Sequence, residues 1–302
     1  MKSLIKSKVA NFKRIIRIRN IPFYVKKKIA RKALMSKAPS GYLHELAKNG
    51  AIKCTGIIDQ KIIDNWISKY DLNVDNIIPS KGNLAFPFFN KDVEALLTDS
   101  QLSKLLDEYF LNIYGCKPVL QMMPYLVITY PNIRHDEYDA KVNNFPADWH
   151  TDYQSEFTIH VPLVEINSEN THTMYAINTH TSLLKAPKTD RDMKELFRSF
   201  GKKTDALFLD VDGWHQGRLE GKGARIMIQF KFTVGNDLLF HPTGGISIKQ
   251  QEQIERTKNN IKNYETVGHQ LKEDFSYAKN LSSDDPKLSI IQDNAQAYLD
   301  YI

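Results

Sequence analysis

Cysteine is nearly absent from this 302-residue chain: Cys54 and Cys116 are far apart and belong to no C-x-x-C pair. That excludes a cysteine zinc site and a disulfide scaffold, and leaves two buried thiols in a reducing compartment as the expectation. No run of 18 or more apolar residues occurs, so no segment is expected to span a membrane. The N-terminus also lacks the uninterrupted apolar core of a secretory signal. Internal repeats are missing as well, and these absences together point to a cytoplasmic protein, with peripheral membrane attachment left open by its first residues.

Those first residues lack negative charge. Residues 1–37 contain 13 Lys or Arg and no Asp or Glu, the first acid being Glu45. The formal net charge of +6 is therefore a local effect, because the rest of the chain carries 28 basic against 35 acidic residues, about −7. Ile5, Val9, Phe12 and Ile16 recur at helical spacing with Lys6, Lys13, Arg14 and Arg17 elsewhere, which predicts an amphipathic helix. Pro22 is expected to break it. A second basic helix then sets Ile29 and Leu34 beside Lys26, Lys27, Lys28, Arg31 and Lys32, and Ala38–Gly41 reads as a linker. Three readings fit this arm. They are a helix lying on an anionic membrane surface, a nucleic-acid contact, and a helix docked on its own domain with a solvated basic face. The apolar stripe disfavours nucleic acid.

What is plentiful is core-forming material: 42% of residues are hydrophobic, with 15 Phe, 14 Tyr and 3 Trp. Helices are predicted from Asp59 to Tyr70, with Ile62, Ile63, Trp66 and Ile67 inward, and over 91–98 and 101–112, capped by Asn90 and Ser100. The segments 118–130, 156–166, 206–211 and 224–233 are rich in branched and aromatic residues and read as strands. The stretch 189–200 reads as an inserted helix, and 247–264 and 285–301 as C-terminal helices. The expected fold is mainly β with flanking helices, a jelly roll of the double-stranded β-helix (cupin-like) type. The expected organisation is a basic amphipathic arm over 1–37, a jelly-roll domain with N-terminal helices over 42–245 and a helical extension over 246–302.

Nine histidines are present. His150-Thr151-Asp152 and His135-Asp136-Glu137 both have metal-ligand spacing, since residues i and i+2 of a strand share a face. The short motif alone means little. Context separates the two: His150-Thr151-Asp152 runs directly into an apolar strand, whereas His135 and Glu137 sit in a polar loop, read as surface or substrate lid. About 60 residues on, a second strand ends at Trp214-His215, and the chain returns through a Gly-rich turn to Arg225. Two imidazoles and one carboxylate hold Fe(II) on one face and leave the other open, and a planar cation such as Arg225 pairs with a remote carboxylate. The predicted metal set is His150, Asp152 and His215. His160 reads as a packed core histidine, and Trp149 as pocket wall or core.

With these residues the chain resembles the phytanoyl-CoA dioxygenase-like family of Fe(II)/2-oxoglutarate oxygenases. The resemblance spans Gly50 to Thr233, strongest at Trp149–Asp152, Pro162–Asn170 and His215 with Arg225. It implies Fe(2+) as cofactor, 2-oxoglutarate and O2 as co-substrates, and Arg225 on the co-substrate carboxylate. Thr158 and Gln121, on strands expected to approach it, are candidate further contacts. The family's Pro-Gly-Ser-His loop is replaced by Ala176-Ile177-Asn178-Thr179-His180, and its usual Gly by Thr171, both on the substrate side. Substrate identity is therefore not transferred beyond a small molecule, a lipid or a lipid-linked saccharide. Halogenating relatives lack the carboxylate, so Asp152 implies hydroxylation or a related C–H oxidation. Two other readings remain: a non-catalytic jelly-roll binding module at a membrane surface, and a cupin-like metalloenzyme that does not use 2-oxoglutarate.

Overall fold

The computed structural model describes residues 21–69, 83–120, 124–129, 149–152, 157–181, 195–218, 221–234 and most of 293–301. The chain order is α1 (Ile21–Lys37), α2 (Tyr42–Asn49), β1 (Ala51–Cys54), α3 (Gln60–Lys69), β2 (Asn83–Pro87), α4 (Lys91–Thr98) and α5 (Gln101–Tyr114), followed by β3 (Pro118–Leu120), β4 (Tyr125–Thr129), β5 (Phe157–Pro162), β6 (His172–Ala176), β7 (Leu196–Arg198), β8 (Ala206–Asp210), β9 (His215–Arg218) and β10 (Arg225–Val234).

Among the described residues, two antiparallel sheets form. The larger has strand order β1-β8-β5-β10-β4-β2, with β3 also on β10, and the smaller has β7-β6-β9. From β5 onward the chain passes back and forth between them, which is the winding of a jelly roll. The fold class therefore matches the sequence expectation. One element does not: within the stretch 189–200, the described residues Leu196–Arg198 form β7, paired with β6. A three-residue edge strand is too short to show a period-2 pattern, which explains the misreading. The expected helix over 247–264 lies outside the described residues, whereas described residues within 293–301 are helical and bring Tyr298 against Phe89, ring centroids 5.6 Å apart.

Local sequence chemistry sets the helices. Asn90 accepts hydrogen bonds from the Asp92 and Val93 amides, and Ser100 and Ser103 form a reciprocal capping box. Gly50 ends α2 in the left-handed region at φ 79°, and a Cβ there would overlap both His180 and the Tyr175 hydroxyl. The strand β10 shows how the core is divided. Ile226, Ile228, Phe230, Phe232 and Val234 belong to the main hydrophobic core with Leu106, Tyr109, Phe110 and Phe157, where each large side chain contributes roughly 1.5–3 kcal/mol by burial. The alternate residues Arg225, Met227, Gln229, Lys231 and Thr233 take the opposite face, toward the small sheet. On β10 the outer face is therefore apolar and lies against the helices, and the inner face is largely polar, while Ala51, Leu209 and Val211 pack with Tyr175 in a separate apolar cluster.

The helix α1 packs on α2 and α5. Its inward face is Tyr24, Lys27, Arg31 and Leu34, all buried, while Ile29 is 63% exposed and Val25 50%. Of the two apolar residues that the sequence sets in this basic helix, Leu34 is buried and Ile29 is not. The domain turns two cations inward instead, because carboxylates and carbonyls await them there.

Candidate functional site

His150 and His215 face each other across an isolated antiparallel bridge, each amide donating to the other's carbonyl at 2.9 Å. Bridged residues put their side chains on one side, and the imidazole centroids are 4.2 Å apart. Asp152, whose amide donates to the Val211 carbonyl, lies two residues along on the same side. Its Oδ1 is 3.7 Å from His150 Nε2 and 3.9 Å from His215 Nε2. One donor atom from each of the three residues lies within 4.8 Å of the others. Donors on bonds of about 2.1 Å to one ion are about 3–3.5 Å apart, so small rotations would close this set on a metal.

The protonation states suit that use. His215 Nδ1 lies 3.0 Å from the Gly213 carbonyl, which fixes the proton there and leaves Nε2 as the acceptor. Burial pushes the His215 pKa down to about 4, so the ring is neutral at pH 7. Burial alone would raise the Asp152 carboxyl, but Lys231, His215 and His150 together hold it below the usual range. Lys231 Nζ stands 3.5 Å from Asp152 Oδ2, leaving Oδ1 toward the imidazoles.

Arg225 is buried on the interior face, with Nη1 donating to Thr173 Oγ1 at 2.7 Å and Nη2 to Thr129 Oγ1 at 3.2 Å. Among the described residues its Nε has no hydrogen-bond partner and no carboxylate pairs with it. Burial lowers its pKa to about 10, which still leaves it charged at pH 7. Thr173 stands two residues along β6 from Tyr175, the register partner of His215, so Arg225 is anchored on the same side of the small sheet as that imidazole.

The other sequence candidates separate. Thr158 is buried on the interior face opposite Lys231, at the end of β10 remote from Arg225. Gln121, His135 and Glu137 lie outside the described residues. Trp149 packs with Trp214, Met174 and Ala176, whose positions on β6 alternate with Thr173 and Tyr175, so it backs the small sheet. Sequence reading missed Lys231, Gln229, Thr129 and Thr173. The alternation in Arg225-Ile-Met-Ile-Gln-Phe-Lys-Phe-Thr233 was the available signal, placing Arg, Met, Gln, Lys and Thr on one face.

No protein-family model matches the chain, and no curated protein sequence matches it significantly. Solved structures do share its architecture in part. HygX from Streptomyces hygroscopicus, with nickel and 2-oxoglutarate bound, is 14% identical over 63% of this chain and 85% of its own, with a TM-score of 0.45. The non-haem α-ketoglutarate-dependent epimerase SnoN from nogalamycin biosynthesis is 12% identical over 69% and 84%, with a TM-score of 0.44. EctD from S. alaskensis, in its apo form, is 12% identical over 64% and 75%, also with a TM-score of 0.44. At such low identity the side chains of this chain's own site decide its chemistry.

Proposed function

We propose that this chain is an Fe(II)- and 2-oxoglutarate-dependent dioxygenase that hydroxylates an unactivated C–H bond of a small-molecule, lipid or lipid-linked saccharide substrate. The observation that carries the reading is Arg225. A buried cation held only by hydroxyls among the described residues is costly unless an anion joins it, and this one shares an interior with two imidazoles and a carboxylate. A dicarboxylate that chelates a metal at one end and meets a cation at the other answers both features.

In this reading His150, Asp152 and His215 hold the iron and Arg225 takes the distal carboxylate, with Thr158 contacting the metal end of the co-substrate and Gln121 a further contact. When bound, iron and 2-oxoglutarate supply the oxidising power, consuming O2 and releasing succinate and carbon dioxide. The chain's own work is to hold three donors in place, keep His215 neutral and Asp152 ionised, and fix the co-substrate's far end. Substituting His150 or Asp152 by Ala should abolish 2-oxoglutarate turnover, and full retention would overturn the ligand set. Iron binding that ignores 2-oxoglutarate would favour the cupin-like alternative; a protein that binds neither would be a binding module.

A second element concerns location. The outward side of α1 presents Val25 and Ile29 among exposed Lys26, Lys28, Lys32 and Lys37, a mixture suited to an anionic lipid surface. Among the described residues no helix is long and apolar enough to cross a membrane, so attachment would be peripheral. Pelleting with phosphatidylserine vesicles should fall when Val25 and Ile29 are both changed to Asp. Unchanged pelleting, or retention on nucleic acid in place of vesicles, would overturn this element.

A further inference from the structure

His160 is 4% exposed and stands in register with Gln229 on the interior face of the large sheet. Along β10, Arg225 is four residues from Gln229 in one direction and Lys231, which reaches Asp152, is two in the other. At about 3.4 Å per residue these are steps of roughly 14 Å and 7 Å, which sets His160 between the Arg225 end and the metal-ligand end of the cavity. The Nε2 atom lies 3.5 Å from Gln229 Nε2. An amide nitrogen only donates, so with Gln229 in this orientation Nε2 is the acceptor and the ring proton is on Nδ1. Among the described residues, that buried Nδ1 has no hydrogen-bond partner. His180 Nδ1 is buried in the same way, and what sets His160 apart is its place on the interior face between Arg225 and the metal-ligand end, where a ligand can meet the ring.

We propose that His160 is a further co-substrate contact, its Nδ1–H donating to the 2-oxoglutarate held between Arg225 and the His150–Asp152–His215 set. This rests on the oxygenase reading and adds a second donor for the dicarboxylate. His160 is not one of the three clustered metal donors. Its surroundings suit a neutral donor: burial, then the positive charge of Arg225, His215 and Lys231, keep the imidazole unprotonated, against the weaker opposite pull of Asp152. A second full cation beside Arg225 would be costly to bury before the co-substrate arrives, whereas a neutral N–H is not.

Calorimetric titration of 2-oxoglutarate into the Ni(II)-loaded full chain tests this, Ni(II) being the redox-silent probe. His160→Leu should weaken 2-oxoglutarate binding about tenfold or more, the usual effect of losing a hydrogen bond to a charged group, with Ni(II) affinity unchanged. His160→Asn, whose amide nitrogen can stand near Nδ1, should recover much of the loss. If wild type binds 2-oxoglutarate and His160→Leu binds it equally well, the role of His160 is overturned while the oxygenase reading stands. If both variants lose Ni(II) as well, or unfold, His160 is a packing residue and the proposal fails. If wild type binds Ni(II) but no 2-oxoglutarate, the oxygenase reading falls and takes this role with it.

Discussion

Lys27 Nζ lies 2.7 Å from Asp210 Oδ1, and neither side chain has any solvent exposure. The same ammonium reaches Asp212 Oδ2 at 2.5 Å, and the Tyr109 hydroxyl donates to the second Asp210 oxygen at 2.7 Å. These carboxylates end β8 and open the turn that delivers His215, while Tyr175 donates to the Asp210 carbonyl from the small sheet. Arg31, one helical turn on, donates to the Ala47 and Lys48 carbonyls and to Asn178. The basic helix α1 is thus built into the domain through two of its cations.

Removing one partner of a buried ion cluster strands the others. Lys27→Met should destabilise the protein by about 3–5 kcal/mol in urea unfolding. Adding Asp210→Asn and Asp212→Asn to it should restore part of that. A single variant as stable as wild type would mean that the cluster contributes nothing.

Acid should weaken the metal-free fold. His180 is fully buried, and desolvation with the nearby charges of Arg31 and Lys27 holds its pKa well below 6.5; burial and Arg225 do the same for His160. Both groups bind fewer protons folded than unfolded, so their contribution is complete above pH 6.5 and is lost as pH falls through the depressed folded-state values. The urea midpoint should be lower at pH 5 than at pH 7.5, and His180→Gln should flatten the difference. Equal midpoints at the two pH values would contradict it.

Lys231 pairs with Asp152 and would compete with a bound cation for it. Lys231→Met should therefore tighten Ni(II) binding, by up to about tenfold, since a like charge leaves the site. Weaker Ni(II) binding in this variant would show instead that Lys231 is needed to orient the carboxylate.

The large features were legible because they repeat locally. The capping residues Asn90 and Ser100 and the branched runs of β5, β8 and β10 identify helices and strands without tertiary knowledge. The proximity of His150 and Asp152 was legible because they are two residues apart on extended backbone, joined to His215 by an isolated bridge, whereas His215 and Arg225 each open a strand. Which face of α1 turns inward was not legible, because Lys27 and Arg31 hold it through Asp210, Asp212 and backbone carbonyls that are distant in sequence. His160 is buried and is not among the clustered donors, as its sequence reading expected, and its register with Gln229 adds which face of the sheet it is on. β7 is three residues long and has no pattern to read.

The central claim is that Arg225 and the His150–Asp152–His215 set together bind 2-oxoglutarate and iron. The most direct measurement is an anaerobic titration of the full chain with Fe(II) and 2-oxoglutarate, followed by visible absorbance. The account predicts a weak charge-transfer band that requires both additions and is absent from Arg225→Ala, which still binds Fe(II). A band unchanged in Arg225→Ala, or Fe(II) bound by wild type with no band on adding 2-oxoglutarate, would contradict it.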